Sequence, residues 1–332
     1  MFKKFLQWLH PPRLPDASQQ EVIQFDDRDD WYRTSDGFPR ADWESIHEYL
    51  RIHYTGKEHA EAHRQAIRNW LGRIQKALRA QGEATAIIES RNSIVLGKAT
   101  GNSLKQLVKT ADMAKHRIWE TLGDVAWTMP SQRLVIIDLP SEDSYYHYVS
   151  HYYDDGEHAG SGGMAIHDGQ SHIALPNPTA RPFDVTTPTI AHETAHIALS
   201  HLKIPNWLNE AIAMHFETLI GGNGQDPSRE LQETMRLQRY WTPDSIQSFW
   251  SGDAFFSAHN EDSEMAYHLA RVLFNLLHTR IRPNPVDFRN FVRTANRSDA
   301  GEDAAMCCFG ISLGDLAETF LGPGDWEPRG WS

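Results

Sequence analysis

Two histidines and a glutamate come together in the sequence HETAH, residues 192–196. If this stretch is helical, His192 and His196 lie one turn apart on the same face, so both imidazoles can reach one metal ion. Glu193 then lies about 100° further round the helix, beside the metal, where its carboxylate can accept a proton from a water molecule that the metal activates. The HExxH pattern therefore predicts a zinc site that hydrolyses peptide bonds, with Glu193 as the general base.

Local signals predict that this motif lies in a buried helix. Thr187 is a good N-cap, and Pro188 suits the first helical position, where its missing N–H costs nothing. Pro205 bounds the helix downstream. Most of the residues between the two prolines are apolar, among them Ile190, Ala191, Ala195, Ile197, Ala198 and Leu199.

A catalytic zinc site needs three protein ligands and one position open to water. The metzincin pattern would supply a third histidine, but the chain has Leu202 at that position and Leu199 where the pattern has glycine. Glu210, fourteen residues after His196, is the remaining candidate, because a glutamate on the following helix is the other common solution. The predicted ligands are therefore His192, His196 and Glu210, with one Zn²⁺ per chain.

The segment around this glutamate resembles a known family. WLNEAIAMHFE, residues 207–217, is similar to the WLNEGFAxYxE segment of the aminopeptidase N group, whose glutamate is the third zinc ligand. HETAH followed by PNWLNEAIA resembles the peptidase MA-like, or gluzincin, domains. Ala211 replaces the family's glycine, His215 replaces its tyrosine, and the spacing between the two motifs is shorter than in aminopeptidase N. The resemblance implies a zincin-like metallopeptidase domain, in which Glu217 either orients a ligand or is a solvated glutamate.

The same resemblance extends to two other segments. Tyr267 begins AYHLARVLFNLL at a distance from Glu210 similar to that of the catalytic tyrosine of aminopeptidase N, which implies that its hydroxyl stabilises the oxyanion. The alternatives are that His268 is this donor or that Tyr267 is a packed aromatic residue. Gly162-Gly163-Met164 faintly resembles the family's GxMEN strand, with Ala165 in place of the glutamate that holds the substrate's free amine.

The hydrophobic pattern predicts an α+β fold. Residues 1–82 are expected to form a helical N-terminal region, and residues 83–332 a gluzincin-like metallopeptidase domain. That domain comprises a sheet-containing half, 83–180, and a helical half, 181–332. Met164–His167 and Ser171–Leu175 are predicted to pair as a hairpin across Asp168-Gly169. This order of strands and helices before the HExxH helix resembles the N-terminal half of zincin domains, which implies that Ser171–Leu175 is the edge of the cleft, where an extended substrate would bind by strand addition.

The charge and the apolar content of the chain restrict the kinds of partner that it can bind. The chain has 44 acidic and 32 basic residues and a net charge of −12, which argues against a nucleic-acid partner. No run approaches the ~20 apolar residues of a transmembrane helix. Phe2, Phe5, Leu6 and Leu9 share one face of a terminal helix that either packs on the domain or makes a weak contact with a membrane surface. The adjacent Cys307 and Cys308 are the only cysteines, which favours a cytoplasmic location.

The expected function is zinc-dependent hydrolysis of a peptide or protein substrate. One alternative is a non-catalytic, zinc-stabilised module that binds peptides in the same cleft. Another is a helical interaction protein in which HExxH occurs by chance. Intact Glu193 favours the hydrolase, because structural zinc has no use for a base. Five clustered histidines, His147, His151, His158, His167 and His172, either form a second metal site or lie on the surface and the cleft.

Overall fold

The computed structural model describes residues 25–35, 37–98, 103–126, 132–153, 162–176, 183–222 and 227–330. The chain divides into two compact units, Met1–Ile74 and Gln75–Ser332. The division falls inside the helix Gly56–Ala80, close to the predicted boundary at residue 82. The predicted terminal helix with Phe2 and Leu9 lies outside the described residues.

The first unit combines a short hairpin with helices. Its elements are β1 (Tyr32–Ser35), β2 (Phe38–Ala41), α1 (Trp43–His53) and the first part of α2 (Gly56–Ala80). Asp42 caps α1, because its carboxylate accepts a hydrogen bond from the Ser45 N–H. The predicted apolar stripes are buried: Trp43, Ile46, Leu50, Ile67, Trp70, Leu71 and Ile74. The hairpin was not predicted, since four-residue strands are too short to show a clear alternation.

A five-stranded sheet opens the second unit. Its strands are β3 (Thr85–Glu89), β4 (Ser93–Lys98), β5 (Leu134–Leu139), β6 (Met164–Ile166) and β7 (His172–Pro176), arranged in the order β3-β4-β5-β7-β6. The central β4, β5 and β7 are parallel, and the outer β3 and β6 run antiparallel to their neighbours. The predicted α+β class is confirmed as a mixed sheet with helices.

The strand order corrects one prediction. Ser171–Leu175 was expected to edge the cleft, but β7 pairs with β5 on one side and with β6 on the other. A strand that is paired on both sides cannot accept a further strand. The hairpin between β6 and β7 does form, with Gly169 in its turn at φ 67°. It places β6 at the outer edge of the sheet.

Three helices surround this sheet. Helix α3 (Ser103–Leu122) packs Leu104, Leu107 and Ala111 against the apolar side chains of β4, β5 and β7. Helix α4 (Glu142–Val149) begins at the Ser141 cap, whose hydroxyl accepts from the Ser144 N–H. Helix α5 (Phe183–Leu199) carries the HExxH motif, and its Ile190 and Ala191 join the same core as the sheet.

Helix α5 starts earlier than predicted. It begins at Phe183, so Thr187 is not its N-cap and Pro188 lies inside it. Because proline has no N–H, the helix loses one hydrogen bond at that point. Gly221 accommodates the ring, since a Cβ at that position would be 2.5 Å from the Pro188 Cγ. The missing side chain of Gly221 thus allows close packing around Pro188.

The remaining elements are mainly helical. They are α6 (Asn206–Gly221), α7 (Pro227–Tyr240), α8 (Ile246–Ser251), α9 (Asn260–Leu276), α10 (Pro285–Thr294), α11 (Glu302–Phe309) and α12 (Leu313–Leu321). Buried tryptophans fix this packing: the Trp207 indole N–H donates to the Ala300 carbonyl at 2.9 Å, and that of Trp250 donates to the Trp326 carbonyl at 2.9 Å. Helix α6, which carries Glu210, is therefore anchored along its buried side.

Within the described residues, no single helix is long and apolar enough to cross a membrane. One bent pair, α11 with α12, meets that requirement jointly by length and composition, with 90° between the two helices. Both helices contribute side chains to the helical core, among them Ala304, Ala305, Leu313, Leu316 and Ala317.

Candidate metal centre

Helices α5 and α6 bring the three predicted ligands together. Glu210 Oε2 lies 3.5 Å from His192 Nε2 and 3.6 Å from His196 Nε2. The two imidazole rings are 4.8 Å apart between centroids and nearly perpendicular. One ligand atom from each of the three residues lies within 4.8 Å of the other two. This group can therefore hold one metal ion.

Glu210 supplies a direct test of that fit. Its Oε2 is buried and accepts no hydrogen bond from the described residues. Burial acts to raise the pKa of Glu210, but the neighbouring His196 and His192 outweigh it and hold this pKa well below its usual value. A buried carboxylate oxygen needs a cation beside it, and here either protonated imidazoles or a metal ion held by the neutral imidazoles can be that cation. Two imidazole nitrogens and a carboxylate oxygen form a donor set that suits Zn²⁺.

Glu217 contacts the opposite side of His192. Its Oε2 lies 3.1 Å from His192 Nδ1, while its side chain remains 44% exposed. A carboxylate only accepts hydrogen bonds, so Nδ1 carries a proton, and in the neutral imidazole Nε2 is the nitrogen left for a metal ion. Of the two roles considered for Glu217, this geometry supports the one that orients a ligand.

The carboxylate of Glu193 is also held in place. Its Oε2 accepts a hydrogen bond of 2.8 Å from the backbone N–H of Ala165, on β6. Burial raises the pKa of Glu193 above its usual value, although His192, His196 and this hydrogen bond act in the opposite direction. The edge strand of the sheet therefore positions the residue that was predicted to be the general base.

Tyr267 reaches the same site from α9. Its hydroxyl lies close to Glu210, and its ring packs edge-on against Phe255, with 5.3 Å between centroids. Burial, together with the charges of Glu210 and Glu193, raises the pKa of Tyr267 well above its usual value. His268 projects about 100° further round the helix, and its Nδ1 accepts from Arg271 at 3.2 Å.

Sequence reasoning missed Tyr153, which follows the C-terminal end of α4. Its hydroxyl donates to the Ala165 carbonyl at 3.3 Å. Burial raises the pKa of Tyr153, and the charge of Glu193 adds to this effect. No motif marks this tyrosine. The likeness of Gly162-Gly163-Met164 to a substrate-binding strand was the one signal that this part of the sheet faces the site.

Of the clustered histidines, His147 and His151 have rings 5.2 Å apart between centroids, whereas His167 and His172 belong to the segment of β6 and β7. His172 is fully buried in β7, where its Nδ1 donates to the Gln170 carbonyl at 2.9 Å and its Nε2 accepts from the Tyr148 hydroxyl at 2.8 Å. His167 contacts Ser171 in the hairpin, and His158 lies outside the described residues. In the described part of the chain, these histidines do not form a second group with the geometry of a metal site.

The chain matches no protein-family model and no curated protein.

Proposed function

We propose that this chain is a zinc-dependent peptidase of the gluzincin type, with a zincin-like fold in its second unit. The observation that carries the proposal is the cluster of His192, His196 and Glu210, whose ligand atoms lie within 4.8 Å of one another. The hydrogen bond from Ala165 to Glu193 supports it, because a purely structural metal site has no need of a positioned base.

His192, His196 and Glu210 would hold the zinc ion, which when bound supplies Lewis-acid polarisation of a water molecule and of the scissile carbonyl. Glu193 accepts the proton that this water loses as its oxygen bonds to the carbonyl carbon. Its Oε2 is already hydrogen-bonded to Ala165, which leaves Oε1 to take the proton. When the C–N bond breaks, Glu193 passes this proton to the leaving amine.

Tyr267 is the proposed donor to the carbonyl oxygen on which negative charge develops. Its hydroxyl lies at Glu210, on the edge of the cluster, and its raised pKa keeps it protonated at neutral pH. A donor that is already oriented stabilises the transition state more than the ground state.

The proposed substrate is a peptide chain in extended conformation, with β6 rather than β7 beside it. By resemblance to the GxMEN strand of aminopeptidase N, Ala165 replaces the glutamate that holds the substrate's free amine in that family. A free N-terminus is therefore not part of the proposed substrate requirement.

The test combines metal analysis with cleavage of a peptide library followed by mass spectrometry. We expect about one zinc per chain and cleavage products with the wild-type protein. Glu193→Gln should keep zinc and fold but lower the rate by about 10² to 10⁴. Zinc binding without cleavage by the wild type would point to a binding module. Absence of zinc together with absence of cleavage would leave HExxH as a chance match.

A further inference from the structure

The outer edge of β6 is already occupied by side chains of the protein itself. Met164 and Ile166 pair opposite Ala174 and His172 of β7, and Ala165 stands opposite Ile173. In an antiparallel ladder, alternate residues direct both of their main-chain groups to the same side. The groups of Ala165 point outward: its N–H donates to Glu193, and its carbonyl accepts from the Tyr153 hydroxyl.

An added strand would need these same groups. A substrate running antiparallel to β6 would bond to the carbonyl of Ala165, because the Ala165 N–H is held by Glu193. A substrate running parallel would use the carbonyl of Ala165 and the N–H of His167. The Tyr153 hydroxyl already donates to the Ala165 carbonyl, which a substrate in either direction requires.

We propose that Tyr153 caps the edge of β6 in the free protein and is displaced when an extended peptide binds. This inference rests on the proposed function, since it names the contact with which a peptide substrate competes. The hydroxyl takes the place of a substrate N–H, because it donates to the Ala165 carbonyl where that N–H would donate. Tyr153 thereby sets the apparent affinity for the substrate main chain.

The surroundings of Tyr153 suit such a cap. The end of α4 is held on β7 by the 2.8 Å hydrogen bond between Tyr148 and His172. One further turn, in which the N–H groups of Tyr152 and Tyr153 both donate to the Val149 carbonyl, carries Tyr153 to the edge strand. Its ring is only partly buried, so it can move outward without opening the core.

The kinetic experiment compares wild type, Tyr153→Phe and Tyr152→Phe on one peptide taken from the library digest. Tyr153→Phe keeps the ring but removes the capping hydroxyl, so KM should fall about 2- to 10-fold while kcat stays near that of the wild type. Tyr152→Phe is the matched control: its hydroxyl lies 3.3 Å from that of Tyr148 and is not a cap of β6. A lower kcat at unchanged KM would make Tyr153 a catalytic residue and overturn the cap. An unchanged KM and kcat would also overturn it.

A second measurement does not depend on hydrolysis. The carbonyl 13C resonance of Ala165, followed by NMR, should move upfield in Tyr153→Phe relative to the wild type and to Tyr152→Phe, because the carbonyl loses its donor. Equal resonance positions in all three proteins would overturn the cap even if the enzyme is active. If the wild type cleaves no peptide, the proposed function fails, and this carbonyl resonance still decides whether Tyr153 covers the edge.

Discussion

The Nδ1 atom of His192 lies 3.1 Å from Oε2 of Glu217, and its Nε2 lies 3.5 Å from Oε2 of Glu210. The two glutamates lie on the same helix and contact opposite sides of one imidazole. Glu217 fixes which nitrogen carries the proton, and Glu210 joins the cluster that the other nitrogen faces. Helix α6 therefore supplies both the third predicted ligand and the carboxylate that orients His192.

The contact with Glu217 predicts an effect on metal affinity. Glu217→Ala should weaken zinc binding about 10- to 100-fold, because the orientation and basicity of His192 are then no longer maintained. Glu210→Ala should remove a ligand and lower the bound zinc further. Competition with a chromophoric chelator measures both constants.

Thr218→Ala is the control, since Thr218 is exposed and next to Glu217 on the same helix. Its zinc affinity should equal that of the wild type. If Glu210→Ala retained full zinc while Glu217→Ala lost it, the assignment of the third ligand would be reversed.

Gly163, just before β6, allows close packing against β7 and α5. A Cβ at this position would lie 2.7 Å from Leu175 Cδ2 and 2.8 Å from Thr189 Cγ2. Gly163→Ala should therefore lower the free energy of unfolding by about 1–3 kcal/mol through overpacking, as measured by denaturant unfolding. Because the displaced strand carries Ala165, the variant should also have a lower kcat.

Gly72→Ala provides the comparison, because a Cβ there meets no atom within 4 Å and the residue lies inside α2. This change should stabilise the protein by about 0.5–1 kcal/mol. Destabilisation of the same size in both variants would show that the close contacts around Gly163 do not matter.

The parts of the site that follow helical periodicity could be predicted from the sequence. His192 and His196 share a face because they are four residues apart, and Glu210 follows fourteen residues later on the next helix. These relationships depend on short stretches of chain, so local pattern is sufficient to find them.

The missed features depend on residues that are distant in sequence or on packing. The hairpin signal at Asp168-Gly169 predicted that two strands pair, but not that β7 would also pair with β5 and leave β6 at the edge. Tyr153 meets Ala165 only after the sheet has assembled. The early start of α5 requires the space that Gly221 leaves for Pro188. Secondary-structure propensity and local sequence pattern do not reveal such tertiary contacts.

Asp138 predicts a pH dependence of stability. It is buried in β5, and burial raises its pKa from 3.8 to about 8, against a smaller opposing effect of Lys98. Between these two values, the folded state keeps the proton and the unfolded state releases it. Stability should therefore fall as pH rises from about 4 to about 8 and change little from this cause above that range. Asp138→Asn should remove the loss of stability that the ionisation of Asp138 causes.

Thermal unfolding from pH 5 to pH 9 measures the effect. The difference in Tm between Asp138→Asn and the wild type should shift in favour of the variant as pH increases. For Glu318→Gln, which changes an exposed carboxylate, this difference should stay constant with pH. Parallel curves for Asp138→Asn and the wild type would show that Asp138 is ionised in the folded protein at neutral pH.

The position of Tyr267 predicts its contribution to catalysis. The hydroxyl lies at Glu210 and remains protonated at neutral pH, because burial and the nearby carboxylates raise its pKa. Removal of a single oxyanion donor should lower kcat about 10- to 1000-fold. Tyr267→Phe should leave zinc content and Tm nearly unchanged, since the ring that packs against Phe255 is retained.

His268→Ala should have nearly normal kcat, because its Nδ1 contacts Arg271. A normal kcat in Tyr267→Phe beside a strongly reduced kcat in His268→Ala would transfer the role to the histidine, and normal values in both would leave Tyr267 as a packing residue.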